Sequence, residues 1–193
     1  MVFILSYEML SKLLAMKVVK MENGTIDILD RVMVIMPVEV IIRMHEMLKE
    51  KIGEEEAQQF LYDAGKFQTS TGSMRYLAKK KELASSFKNV SATGDASIEM
   101  GREILKLTGM GDIRIKEVVN KGEKVVLGIE NSPIALDHIK SRGKSSRPVC
   151  HYVRGVLAGV LEAYYQKKYI SAETSCRATG LSKECVFEFR SPG

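Results

Sequence analysis

The 193-residue chain contains no tryptophan, only three cysteines and no apolar run that approaches the roughly 20 residues of a membrane-spanning helix. Its apolar first five residues are soon followed by Glu8, Lys12 and Lys17, and they lack the basic leader and the cleavage pattern of a signal peptide. We therefore expect a protein without a membrane span that resides in the cytoplasm. In that reducing compartment, three cysteines are more readily metal-bound than paired in disulfides.

The charge and motif content argues against several classes of function. The chain has 29 Lys and Arg against 24 Asp and Glu, a net charge of +5, but its basic stretches, residues 79–81 and 142–147, contain no interleaved aromatic side chains. They therefore predict solvated helix ends and loops, and we expect no direct contact with nucleic acid. Gly109-x-Gly111 lacks the third glycine of a dinucleotide loop, and neither a phosphate loop nor a Gly-x-Ser-x-Gly elbow occurs. The motifs thus give no support for an enzyme.

Hydropathy periodicity predicts helices and strands in irregular alternation. Helical spacing extends over residues 7–19, 37–51, 54–77, 95–107 and 148–165. Strands are predicted around the Asn23-Gly24 turn, at 113–119 and 124–129 as a hairpin, and at 169–173 and 186–189, whereas residues 132–146 predict a surface loop. We predict one α+β domain over residues 23–193, in which helices flank a mainly antiparallel sheet. An amino-terminal helix within residues 1–22 precedes it.

Methionine is frequent in the amino-terminal half, where seven of the eleven residues lie between Met9 and Met47. Such flexible side chains fit an adaptable core, which we favour, but also an apolar ligand pocket or a self-association surface. The helix predicted within residues 1–22 has little to bury against in a compact domain. We therefore expect it to act as a dimerisation arm that packs on a second copy of the chain, giving a homodimer.

The three cysteines and one glutamate lie near the carboxyl terminus, as Cys150, Glu173, Cys176 and Cys185. Thiolates and carboxylates are ligands of zinc, and four of them complete a tetrahedral site. Cys150 falls in the first turn of the helix that Pro148 opens. Free backbone N–H groups and the positive end of the helix dipole stabilise a thiolate at that place.

The last two strands decide whether the other three donors can reach Cys150. Cys185 alternates with Phe187 and Phe189, so these side chains should share the inward face of the final strand. Glu173 and Cys176 are three residues apart, which places them on opposite faces of a regular strand. They can share an ion only if the strand ends or bulges at the two residues between them. The nine-residue step from Cys176 to Cys185 then closes a loop against the helix.

Spacing alone leaves two interpretations open. In the first, one tetrahedral zinc ion joins the four residues. In the second, the three cysteines are small buried hydrophobes and Glu173 is a surface residue that happens to be near them in sequence. The pattern contains no C-x₂-C pair, which is the strong signature of a zinc site.

Three stretches, 148–159, 173–180 and 185–189, resemble the 4-vinyl reductase (4VR) domain family, and the likeness is strongest over residues 125–190. The resemblance implies a fold similar to that of TRAPP vesicle-tethering subunits and heme-based nitric-oxide sensors. It also implies a small-molecule sensor module, like the effector-binding part of phenol-responsive transcription activators.

The resemblance also implies a set of metal ligands. In the phenol-sensing relatives a Cys, a Glu and two further Cys coordinate zinc, and the corresponding residues here are Cys150, Glu173, Cys176 and Cys185. A zinc ion held by all four has no open position, so its role would be structural. Its centre has a formal charge of −2, which His151, Arg177 or Lys183 are expected to offset. The family's phenol-contacting tryptophan has no counterpart in this chain.

The leading functional interpretation is therefore non-catalytic binding or sensing of a small apolar or aromatic molecule, with the signal passed to a separate protein. The family name implies a rival, a tetrapyrrole vinyl reductase or an accessory protein to such an enzyme. A third interpretation is an interaction protein similar to the tethering subunits, with its pocket filled by a lipid chain.

Overall fold

The computed structural model describes residues 19–28, 31–84, 102, 105–106 and 108–192. The strands in these ranges are β1 Val19–Glu22, β2 Thr25–Ile28, β3 Val32–Met33, β4 Ile113–Val119, β5 Lys124–Ile129, β6 Ile170–Ser175 and β7 Cys185–Arg190. The helices are α1 Val38–Ile52, α2 Glu54–Ala84, α3 Pro133–Arg142 and α4 His151–Tyr165, with a 3-10 turn at Arg177–Thr179.

The strands form two separate antiparallel sheets. A small sheet has the order β1-β2-β3, and the main sheet has the order β4-β5-β7-β6. The first hairpin turns at Asn23 and Gly24, both of which have positive φ, so the predicted turn is confirmed. Helices and antiparallel sheets in irregular order confirm the predicted α+β class.

The hydrophobic core lies where the inward face of the main sheet meets the buried side chains of α4. Phe187 and Phe189 on β7 have no exposed surface, and Val153, Val156 and Leu157 of α4 belong to the same buried cluster. The strict alternation of buried and half-buried residues along β7 confirms the face predicted from the sequence. Within the ranges that the structure describes, no helix is both long and apolar enough to span a membrane.

Helices α2 and α4 pack with their backbones in contact, and glycine makes this possible. A Cβ atom on Gly155 would lie 1.9 Å from the carbonyl oxygen of Tyr62, and one on Gly65 would lie 2.2 Å from the carbonyl oxygen of Tyr152. At the next turn, Thr69 Oγ1 donates a hydrogen bond of 2.7 Å to the Val156 carbonyl. The glycines on α4 were expected to admit a sheet, and the element they admit is a helix.

Two predicted elements differ from the structure. Residues 132–146 were predicted as a loop, yet Pro133–Arg142 form α3, because Pro133 opens a helix and Ile134 and Ala135 are buried while its polar residues face outward. Residues 19–22 form a strand of the small sheet and do not belong to the helix predicted within residues 1–22. The remainder of that helix, residues 1–18, and most of the helix predicted at 95–107 lie outside the described residues.

Candidate metal centre

The first donor, Cys150, is the residue that precedes α4, one position before the first helical turn in which it was predicted. Its side chain has no exposed surface. The sulfur lies 3.3 Å from Ser132 Oγ, which belongs to the residue that precedes α3, and 3.6 Å from Cys185 Sγ. The turns that begin α3 and α4 therefore meet at the sulfur of Cys150.

The chain bends between Glu173 and Cys176, as the metal hypothesis required. Pairing between β6 and β7 shifts in register between Glu173 and Ser175, which is the signature of a bulge. Cys176 then leaves the strand and begins the 3-10 turn, which ends at Gly180 in the left-handed conformation. The predicted interruption of the strand is confirmed, and it brings Glu173 and Cys176 to the same side.

The four predicted residues meet at one point. One sulfur from each of Cys150, Cys176 and Cys185 and one carboxylate oxygen of Glu173 all lie within 4.8 Å of one another. The Sγ atoms of Cys185 and Cys176 are 4.0 Å apart. Because the three sulfurs come from the start of α4, the turn after β6 and the first residue of β7, a shared ion would join three separate parts of the chain.

Burial determines the electrostatics of the carboxylate. Glu173 Oε2 accepts a hydrogen bond of 3.0 Å from the backbone N–H of Cys150, whereas its buried Oε1 has no partner. Burial, followed by the nearby Cys176, raises the pKa of Glu173 to about 8. An unsatisfied carboxylate oxygen in a buried cluster costs free energy unless a ligand completes it.

The sulfurs share negative charge unequally. Hydrogen bonds from the thiols of Cys150 and Cys176 lower the pKa of Cys185 to about 5, helped by the backbone N–H of Arg177 at 3.4 Å. The same contacts with Cys176 and Cys185, together with burial, raise the pKa of Cys150. Cys185 is therefore the sulfur that most readily becomes a thiolate, and a cation would let the other two ionise as well.

The donor set fits zinc. Three sulfurs and one oxygen are ligands that zinc accepts in tetrahedral coordination, and a divalent cation at their centre would also satisfy the orphaned oxygen of Glu173. The four donors would leave no position for water or substrate. A metal held here would stabilise the fold and would not activate a substrate.

Of the residues expected to offset the charge of the centre, only Arg177 touches it, and it does so through its backbone N–H. Its guanidinium donates instead to the Glu130 carbonyl at 2.8 Å. Burial lowers the pKa of His151 to about 4, so this imidazole is neutral at pH 7. Lys183 accepts a hydrogen bond from Arg177 through its carbonyl. None of the three places a positive side chain against the donors.

Sequence reasoning missed two residues next to the centre, Ser132 and Arg154. Ser132 was placed in a surface loop, yet its side chain is fully buried against Cys150; the Ser-Pro pair, which often begins a helix, was the available signal. Arg154 lies one helical turn after Cys150, and its Nη1 donates a hydrogen bond of 2.9 Å to the Ser171 carbonyl on β6. Spacing of four residues on a helix was the signal in that case.

A narrow cleft lies beside the centre, between α1, α3 and α4. It has about 260 Å³ of empty space, including space open to solvent, but its enclosed part is only about 10 Å³, room for about one water molecule. The walls are apolar except for Tyr152 and two imidazoles, those of His45 and His138. His45 also makes an edge-to-face contact with His151, with ring centres 5.6 Å apart. Anything larger than water would have to displace side chains.

Comparison with known proteins identifies the carboxy-terminal part of the chain. Residues 126–191 match the vinyl-4-reductase (4VR) domain family. An uncharacterized protein of Methanocaldococcus jannaschii is 31% identical over 97 residues, which are 49% of this chain and 55% of that protein. The match thus spans about half the length of that relative. The resemblance predicted from the sequence is confirmed.

Solved structures with the same fold extend over most of the chain. The phenol-responsive sensory domain of the transcription activator PoxR, solved with phenol, has a TM-score of 0.73 at 20% identity and covers 96% of this chain and 91% of that one. A vinyl-4-reductase family protein of Methanocaldococcus jannaschii has a TM-score of 0.51 at 17% identity, with full coverage of both chains. A trafficking protein particle complex subunit 3 of Naegleria fowleri, covalently bound to palmitic acid, has a TM-score of 0.51 at 12% identity and covers 81% of this chain and 91% of that one.

Proposed function

We propose that this 4VR-domain protein is a non-catalytic module that binds a small apolar or aromatic molecule, and that one structural zinc ion closes its carboxy-terminal end. The observation that carries the zinc proposal is the buried cluster of Cys150, Glu173, Cys176 and Cys185, in which a carboxylate oxygen has no partner. The family match and the fold shared with a phenol-responsive sensory domain support the sensor role.

The proposed zinc ion would act on the fold and leave the chemistry of the ligand unchanged. It would join the start of α4 to the turn after β6 and to β7, so a ligand that moved α4 would do so relative to a fixed tail. We place the protein in the cytoplasm and expect its signal to pass to a separate protein. No contact with nucleic acid is proposed.

Ligand retained from the cell would discriminate between the proposed function and its two rivals. We expect mass spectrometry of gently purified protein under native conditions, followed by extraction, to find a small apolar or aromatic molecule bound in a fixed ratio to the chain. Heat-denatured protein carried through the same extraction is the control. A tetrapyrrole would instead favour a vinyl reductase or its accessory protein, and an acyl chain would favour a lipid-filled tethering protein; either result would overturn the sensor proposal.

We also propose that the protein forms a homodimer through its amino-terminal half. Large apolar side chains are exposed on the segment before α1, at Val34 and Ile35. Others form a stripe along α1 at Val40, Met44 and Met47, at spacings of four and three residues that define one face of a helix. A second copy of the chain would cover this face and the flexible methionines would adapt to it.

Light scattering tests the dimer. Wild-type protein at micromolar concentration should have twice the 21.6 kDa mass of one chain, and Met44→Lys should shift the population toward the monomer because it buries a charge at the interface. Leu181→Lys is the matched control, since Leu181 is also an exposed apolar residue but lies in the loop before β7. A monomeric wild-type protein, or equal effects of both substitutions, would contradict this interface.

A further inference from the structure

Arg154 is a partly buried cation whose charge is not used by an ion pair. Its Nη1 donates to the Ser171 carbonyl at 2.9 Å, and its Cζ lies 4.7 Å from the centre of the Tyr62 ring. Its Nε is buried and has no hydrogen-bond partner. Among the residues that the structure describes, no carboxylate lies within salt-bridge distance of this guanidinium.

The side chain is directed to the part of β6 that supplies a metal-centre donor. Ser171 and Glu173 are two residues apart on β6, and both belong to its half-buried face, so the guanidinium held at Ser171 lies on the same side of the strand as the carboxylate. Burial lowers the pKa of Arg154, while the charge of Glu173 acts in the opposite direction. The two groups therefore interact although they form no direct ion pair.

The proposed zinc centre needs a positive charge near it. Three thiolates and one carboxylate around a divalent ion leave a formal charge of −2 in a buried place, where negative charge is costly to desolvate. Arg177 and Lys183 do not direct their charged groups at the donors, and His151 is neutral at pH 7. Arg154 is the cation whose contacts lead to a donor strand.

We infer that Arg154 is a positioning residue for the metal centre: its guanidinium, held by Ser171 and Tyr62, offsets the negative charge of the centre from the side of Glu173 and so strengthens metal binding. This inference rests on the proposed zinc site. It also gives α2 an electrostatic link to the centre, because Tyr62 belongs to α2 and its ring faces the guanidinium.

Competition with a chromophoric chelator measures the effect directly. We expect Arg154→Met to bind zinc roughly 10- to 100-fold more weakly than the wild type, and Arg154→Lys, which keeps the charge but loses the planar fork, to recover part of that affinity. Lys66→Met is the matched control. Lys66 also places a cation near the Tyr62 ring, at 5.8 Å, but its ammonium pairs with Glu162. This control should keep wild-type affinity.

A double-substitution cycle separates a charge effect from a packing effect. If Arg154 acts on the charge of Glu173, Arg154→Met should weaken zinc binding much less in a Glu173→Gln background than in the wild type. Equal losses in both backgrounds, or unchanged affinity in Arg154→Met, would overturn the inference. Wild-type protein that binds no zinc would instead refute the proposed zinc site itself, so the two failures are distinguishable. Should Arg154→Met not fold, Arg154→Lys with the cycle supplies the test.

Discussion

Replacing Cys185 by serine should remove the bound zinc and lower the free energy of unfolding by about 5 kcal/mol or more, because both the metal and a fully buried sulfur are lost. Cys185 lies between the other two sulfurs, 3.6 Å from Cys150 and 4.0 Å from Cys176. A serine hydroxyl is a shorter and harder ligand and would leave the remaining donors buried without a cation. Elemental analysis of unstripped protein and urea unfolding measure the two effects.

Val153→Ala is the control for that experiment. Val153 is also fully buried and lies on α4, but it is not a donor, so its truncation should cost only about 1–2 kcal/mol and leave the zinc content at one per chain. A strong chelator should destabilise the wild type and the Val153→Ala variant alike, and should have no effect on Cys185→Ser. Zinc-free wild-type protein, or a Cys185→Ser variant with undiminished zinc, would contradict the metal centre.

Substitution of Gly155 by alanine should destabilise the protein by about 3 kcal/mol or more, although it adds only one methyl group. The new Cβ would lie 1.9 Å from the carbonyl oxygen of Tyr62 and 2.9 Å from the backbone nitrogen of Lys66. Both are backbone atoms, which cannot turn away as the end of a side chain can. Helices α2 and α4 would have to separate, and Thr69 would lose its hydrogen bond to Val156.

Gly128→Ala provides a comparison in which the crowding is of another kind. A Cβ on Gly128 would meet Lys116 Cε at 2.6 Å and Glu184 Oε2 at 2.8 Å, the far ends of two flexible side chains. These can shift at small cost, so thermal unfolding of Gly128→Ala should remain close to that of the wild type. Similar losses of stability in the two variants would show that the close approach of α2 and α4 does not limit stability.

Local patterns predicted those parts of the fold that depend on local patterns. The alternation in β7 and the hairpin of β4 and β5 are visible in the sequence, because each strand has one buried face or a strong turn. Helix α3 was missed because its outward residues are polar and only Ile134 and Ala135 are fully buried. A short helix of that kind has little amphipathic signal.

The candidate site divides in the same way. Chemistry alone demanded an interruption of the strand after Glu173, and the register shift is there. Ser132 and Arg154 could not be found by such reasoning, since their importance depends on contacts with residues 18 and 17 positions away along the chain. The identity of the helix packed on Gly155 was equally hidden, because the sequence shows that space is needed but not which element fills it.

All three cysteines are buried in one cluster, so the folded protein offers no accessible thiol to a labelling reagent. The rate at which a maleimide or a disulfide reagent modifies the native chain therefore follows how often the tail opens. A single cysteine introduced on the surface would carry a spectroscopic label without competition from the natural ones, for as long as that cluster stays closed.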